Sequence, residues 1–182
     1  INTEGPATLE KNNLYKIQSF DIEYNLIEKR ISSNKKTTIK DNLKNKILIK
    51  NLNISLNDNL LIAKDVELID KDLNIYTIKN IYYDFQKKKL IGKDVTVNRD
   101  NSSSKIDFLP RIKSRSLVIE NENLIFNKSV YTSCKKRDGC PPWLIQAEKV
   151  EHNKKEKLIK YKNAFLKLYD VPVLYFPKFF HP

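Results

Sequence analysis

Apolar and polar residues alternate along most of the chain with a period of two, the signature of half-buried β-strands. Leu52, Ile54 and Leu56 alternate with Asn53 and Ser55. Val66 and Leu68 flank Glu67, Val95 and Val97 flank Thr96, and Leu166 and Leu168 flank Lys167. Ile81, Tyr83 and Phe85 fall on one face, Tyr82 and Asp84 on the other. β-branched and aromatic residues are plentiful, as strands prefer. Helical stripes are weak. Segment 146–161 reads better as strand, turn, strand than as an amphipathic helix. Trp143-Leu144-Ile145-Gln146-Ala147 reads as a buried strand anchor.

The pattern repeats. A basic, a polar and an apolar residue mark each repeat: Lys50-Asn51-Leu52, Lys64-Asp65-Val66, Lys79-Asn80-Ile81 and Lys93-Asp94-Val95, at spacings of 14, 15 and 14. Weaker echoes stand at Lys128-Ser129-Val130, Glu148-Lys149-Val150 and Lys162-Asn163-Ala164. Two strands of about five residues and two short turns would fill such a repeat, so each is expected to be a strand pair. One pair cannot bury its apolar face, but stacked pairs share a continuous core. A β-helix, a plain sandwich and an elongated jelly roll all satisfy the pattern. The β-helix fits least, because its rungs are longer and the chain has only three glycines.

The expected fold is therefore all-β: a V-shaped, elongated β-jelly roll of stacked antiparallel strand pairs. Its inside would be an apolar trough lined by Leu52, Ile54, Val66, Leu68, Ile75, Ile81, Tyr83, Val95, Val97, Leu117, Ile119, Leu166 and Leu168. Each of these also reads as ordinary core. The trough becomes a binding site only if the two sheets stay splayed.

Length and composition narrow the picture. A chain of 182 residues can bury a sizeable core. The even spread of Ile, Leu, Val, Tyr and Phe argues against disorder. No run of apolar residues is long enough for a membrane-spanning helix. The chain has no Met at position 1 and stops at Phe179-Phe180-His181-Pro182, so we read it as a piece of something longer. The net charge of +12 invites a nucleic-acid reading. Yet only 5 of the 34 basic residues are Arg, the side chain that bidentate base and phosphate contacts favour. The lysine runs Lys35-Lys36, Lys87-Lys88-Lys89, Lys135-Lys136 and Lys154-Lys155 mostly fall where turns are expected. They fit solvated loops that discourage edge aggregation, and equally attraction to an anionic lipid head group or membrane surface.

Candidate chemistry is sparse. Cys134 and Cys140 lie close together, and the only histidines, His152 and His181, are isolated. A zinc site would need more ligands, and no base is in evidence for a thiol nucleophile. In an oxidising compartment the leading reading is a disulfide, either Cys134–Cys140 or from one of them to a cysteine elsewhere. Lys135, Lys136 and Arg137 would favour thiolate and speed exchange. Asp65, Glu67, Asp94 and Asp170 form no catalytic cluster, His152 reads as a strand-end residue, and no Gly-rich phosphate loop exists. The residues imply no cofactor, no metal and no enzyme.

One ordered set of short motifs is more specific. Tyr131-Thr132-Ser133-Cys134, Pro142 through Val150, His152-Asn153, Tyr161-Lys162-Asn163-Ala164, Val171 through Pro177 and His181-Pro182 occur in sequence over about 52 residues. This stretch resembles the LptD (OstA) family of lipopolysaccharide-assembly proteins, where the periplasmic domain runs towards the outer-membrane barrel. Residues 1–130 match that family only in the style of their repeats.

The resemblance implies a periplasmic OstA-like β-jelly roll over 1–170 and, over 171–182, a connector to a barrel absent from this chain. It implies lipopolysaccharide transport and outer-membrane assembly, with acyl chains held inside and sugars outside. It implies end-to-end docking to an LptA-like bridge protein by edge-strand addition, and an LptE-like lipoprotein partner through the barrel. In the family, a cysteine at the position of Cys134 joins the domain to the barrel. Cys140 departs from that pattern, so local closure to Cys134 stays open. Two other readings remain: a basic nucleic-acid-binding β domain, which would cluster Arg and expose aromatics, and a β-solenoid acting on polysaccharide, which would gather charged residues on one face.

Overall fold

The computed structural model describes residues 2–3, 5–11, 15–41, 45–99, 110–121, 123–134 and 141–181. Every regular element among them is a β-strand. In chain order these are β1 (Pro6–Lys11), β2 (Tyr15–Phe20), β3 (Glu23–Asn25), β4 (Arg30–Ser33), β5 (Thr37–Asp41), β6 (Lys46–Ser55), β7 (Leu60–Ile69), β8 (Asn74–Asp84), β9 (Lys89–Arg99), β10 (Arg111–Glu120), β11 (Asn123–Thr132), β12 (Trp143–Asn153), β13 (Leu158–Leu168) and β14 (Val171–His181). The fold is all-β and antiparallel, of the jelly-roll type expected. Two compact units divide the chain, Ile1–Gly92 and Lys93–Pro182, and the division falls inside β9.

The repeat differs from the expected strand pair. From β6 onward each repeat is one strand of 10 or 11 residues plus a turn. The marker motif lies in the middle of the strand, not at its start. There the strand bends, and the reason is in the side chains. In β7, Ala63 and Val66 are both buried although three residues apart, with Lys64 and Asp65 between them. A regular strand would send such a pair to opposite faces. Asp65 breaks the alternation by adopting φ 49°, and the strand turns a corner that keeps both apolar residues inside. Asp94 in β9, Lys128 in β11 and Asn163 in β13 do the same, at φ 54°, 51° and 47°. The intervening strands bend in step, with Ile49 and Leu52, Ile78 and Ile81, Leu117 and Ser114, and Ala147 and Val150 buried on either side of two polar residues. Asp and Asn tolerate this left-handed backbone better than most residues, so the chain builds its corners without glycine.

In the first unit the same corner opens into loops. β6 pairs with β5 through Lys46–Ile49 and with β4 through Leu52–Ser55, so β4 and β5 are two arms separated at 34–36. β2 and β3 are likewise two arms that meet at Asp21, whose φ is 59°. Here the buried inner side chains are hydroxyls that satisfy one another. Ser19 Oγ lies 2.9 Å from Ser33 Oγ and 2.8 Å from Thr37 Oγ1.

Three of the turns between strands share one design. Asn25 Oδ1 accepts from the amides of Ile27 and Glu28, Asp84 Oδ1 from those of Gln86 and Lys87, and Asn153 Oδ1 from that of Glu156. These are side-chain-capped turns. A residue with φ near 50° ends each of them: Lys29, Lys88 and Lys157. Lys87, Lys154 and Lys155 thus sit in turns, as the lysine runs suggested, whereas Lys135-Lys136 lies outside the described residues. Leu56 and Phe85 end the strand alternation inside turns and stay exposed. Segment 146–161 is strand, turn, strand, and β12 begins at Trp143. Residues 171–181 form β14, paired along β13 and joined to it by a two-residue turn, Tyr169-Asp170, with φ values of 48° and 68°.

Candidate functional site

Directly paired residues on adjacent strands share a face, so the registers write out the inner surface of each unit. In the first unit, Ile47, Leu68 and Tyr76 form one row and Ile49, Val66 and Ile78 the next. Beyond the corner, Leu52, Ala63 and Ile81 form a third and Ile54, Leu61 and Tyr83 a fourth. In the second unit the rows are Ile112–Tyr131–Ile145–Leu166–Leu174 and Ser114–Ser129–Ala147–Ala164–Phe176 on one arm. On the other arm they are Leu117–Phe126–Val150–Tyr161–Phe179 and Ile119–Leu124–His152–Ile159. None of these rows contains Lys, Arg, Asp or Glu. The rings of Phe176 and Phe179, either side of the corner in β14, are 5.3 Å apart.

Burial grades across the rows. Those beside the corner are shut, with Val66 and Ile78 exposing 1% and Leu117 none. Those farther out are mixed: Leu68, Tyr83 and Ile119 are half-buried, while Tyr76, Ile54 and Leu124 in the same rows stay buried. Of the thirteen expected trough residues, Leu52, Ile54, Val66, Ile81, Val95 and Leu117 are buried. Leu68 and Tyr83 are half-buried in the inner rows of the first unit, Ile119 and Leu166 in those of the second, and Val97 is half-buried two residues beyond buried Val95. Leu168 is 44% exposed beside the Tyr169-Asp170 turn, where the strand ends. Ile75 is a correction. Alternation gives its inner place to Tyr76, and Ile75 turns to the other face, where it pairs with Ile69. Simple period-two reading missed Ile49, Ala63, Ile78, Phe126, Val150 and Tyr161. The missing signal was two polar residues bracketed by apolar residues three apart, which marks a bend with both brackets inside.

Polar groups near the inner face are mostly satisfied. Asp70, buried in the β7–β8 turn, accepts from the amides of Asp72 and Asn74, from Asn74 Nδ2 and from Tyr76 Oη at 3.2 Å. Burial, together with the nearby Asp70 charge, pushes the Tyr76 hydroxyl far above its ordinary pKa. Burial likewise raises Tyr161, to about 12, with Tyr131 adding to it. Tyr161 stacks on Phe179 at 4.2 Å, the ring planes 5° apart. Ser129 Oγ is buried without a hydrogen-bond partner among the described residues.

Cys134 is buried, its sulfur 3.7 Å from the carbonyl oxygen of Trp143, while its own carbonyl accepts from Arg111 Nη2 at 3.0 Å. Cys140 lies outside the described residues, so the Cys134–Cys140 pairing does too. Among the described residues no three of His, Cys, Asp and Glu gather as a metal site would require. An open cleft of about 310 Å³ lies at the broken corner of the first unit, lined by Thr3, Asp21, Glu23, Ser33 and Lys35 among others. Thr3 and Ser33 there already bond to backbone groups.

No protein-family model matches the chain, and no curated protein matches it.

Proposed function

We propose that this chain is a lipid-conduit module, a periplasmic OstA-like jelly roll that takes part in lipopolysaccharide transport and assembly at the outer membrane. The observation that carries the reading is the inner face: rows made mostly of Ile, Leu, Val, Tyr and Phe, without Lys, Arg, Asp or Glu, shut beside the corner and half-buried at several positions away from it. An acyl chain gains about 0.8 kcal/mol for each methylene taken out of water. A mostly apolar wall without charged hooks holds such a chain without pinning it at one point. The half-buried residues Leu68, Tyr83, Val97, Ile119 and Leu166 would touch the lipid, and the buried residues beside the corner would serve as the floor.

The same reading supplies partners. Among the described residues β14 pairs only with β13, and β1 only with β2. Open edges of this kind accept a further strand. An LptA-like bridge protein would dock by strand addition, and an LptE-like lipoprotein would join through the barrel that the resemblance implies. The reading assigns no reaction and no cofactor.

Site-specific photocrosslinking tests it. A photoreactive residue at Tyr83, Ile119 or Leu166 should capture lipopolysaccharide in cells, and one at outward Lys79 or Asp94 should not. Capture at the outward positions alone overturns the conduit.

A further inference from the structure

The outer face of β13 and β14 carries a charge pattern left unbalanced among the described residues. Lys162 pairs directly with Lys178 on one side and with Lys149 on the other, so three lysines line up across three adjacent strands. Like charges directly opposite destabilise a sheet. Lys149 is answered by Glu151, at 2.5 Å. Glu148, the other acid nearby in β12, accepts from Asn163. Lys162 and Lys178 are exposed and form no ion pair among the described residues. The two strands contain Lys160, Lys162, Lys167 and Lys178 and no acidic residue.

Large apolar side chains flank this pair on the same outer face. On one side of the corner Phe165 pairs with Tyr175, their rings 4.8 Å apart and both exposed. On the other, Phe180 pairs with Lys160 and is 72% exposed. Exposed aromatics beside unpaired lysines match the water–lipid boundary, where the rings sit at head-group depth and ammonium groups meet lipid phosphates.

We propose that the outer face of β13–β14 is a membrane-contact surface, with Lys162 and Lys178 bracketing the phosphate of an anionic lipid head group while Phe165, Tyr175 and Phe180 enter the interface. The occupant is a lipid surface, because the cations need an anion and the rings need an apolar phase. This inference concerns the outside of the sheet and stands apart from the conduit inside it.

Vesicle flotation of the full chain tests it, using phosphatidylcholine vesicles with and without phosphatidylglycerol. The wild type should float with the anionic vesicles and stay down with the neutral ones. The double variant Lys162→Glu/Lys178→Glu should bind at least about 30-fold more weakly, as expected for two lysines lost at a charged surface. Lys162→Arg/Lys178→Arg should retain binding. Tyr175→Ser/Phe180→Ser should weaken binding with the charge unchanged. Lys87→Glu/Lys88→Glu, which makes the same charge change in a distant turn of the sequence, should bind within about two-fold of wild type, and an unchanged far-ultraviolet circular dichroism spectrum would certify folding. Equal losses in both Glu double variants would reduce the effect to net charge and overturn the site. So would binding of a DNA duplex, but not vesicles, through Lys162 and Lys178.

Discussion

Lys79 Nζ donates to Asp65 Oδ1 at 2.8 Å, so the residue that bends β7 is held by the neighbouring strand at its own corner. That hydrogen bond holds the Asp65 carboxyl below its ordinary value of 3.8; desolvation opposes it, and the charges of Lys79, Lys50 and Lys64 add to the lowering. Because the folded-state value is lowered, the contribution to stability is present above the ordinary carboxylate value and is lost as pH falls through the lowered one. Carboxyl NMR titration should show Asp65 below its ordinary value in the wild type and moved upward in Lys79→Met. An unmoved titration would remove the coupling.

The corner backbone makes its own prediction. Asp94 is exposed at φ 54°. Asp94→Val places a β-branched side chain in left-handed backbone and should cost about 1–2 kcal/mol in denaturant melts. Asp94→Gly should lie within about 1 kcal/mol of wild type or above it, because glycine has no Cβ to strain. Equal effects would mean the bend does not depend on that angle.

Ser129 lies between Ser114 and Ala147 in the inner rows, 1% exposed, with its hydroxyl unmatched among the described residues. An unmade buried hydrogen bond costs about 1–3 kcal/mol, so Ser129→Ala should stabilise the protein by up to roughly that amount. Ser114→Ala should do the reverse, since Ser114 Oγ lies 2.8 Å from the carbonyls of both Ser116 and Asn127. Urea melts of the two variants give the comparison directly.

Tyr161 is held to about pH 12 before it ionises, chiefly by burial. Its folded pKa is raised, so its contribution is intact below pH about 10 and is lost as pH rises from there through the folded value. Wild-type stability should therefore fall in that alkaline window, and the fall should be shallower in Tyr161→Phe, which keeps the stack on Phe179. Identical alkaline slopes would place the titrating group elsewhere.

Alternation within each half of a strand was legible from the residues alone. Leu52 and Ile54, Val66 and Leu68, and Ile81 and Tyr83 are same-face pairs in the fold because a strand has a side-chain period of two. The repeat of about 14 residues was legible as well, and so was the placing of Lys87 and Lys154 in turns. Chain-local physics determines these features: periodicity, turn chemistry and charge.

The tertiary structure decided where the period breaks. Lys64-Asp65 could be read as a turn between two short strands or as a bend within one long strand, because both put polar residues between apolar ones. Only cross-strand pairing chooses. With Asn51 on Lys64 and Ile49 on Val66, the ladder continues through the corner, and the bend brings Ala63 and Val66 to one interior. The same pairing moved Ile75 to the outer face and aligned Lys162 with Lys178. Register is a relation between strands distant along the chain, and no local pattern contains it.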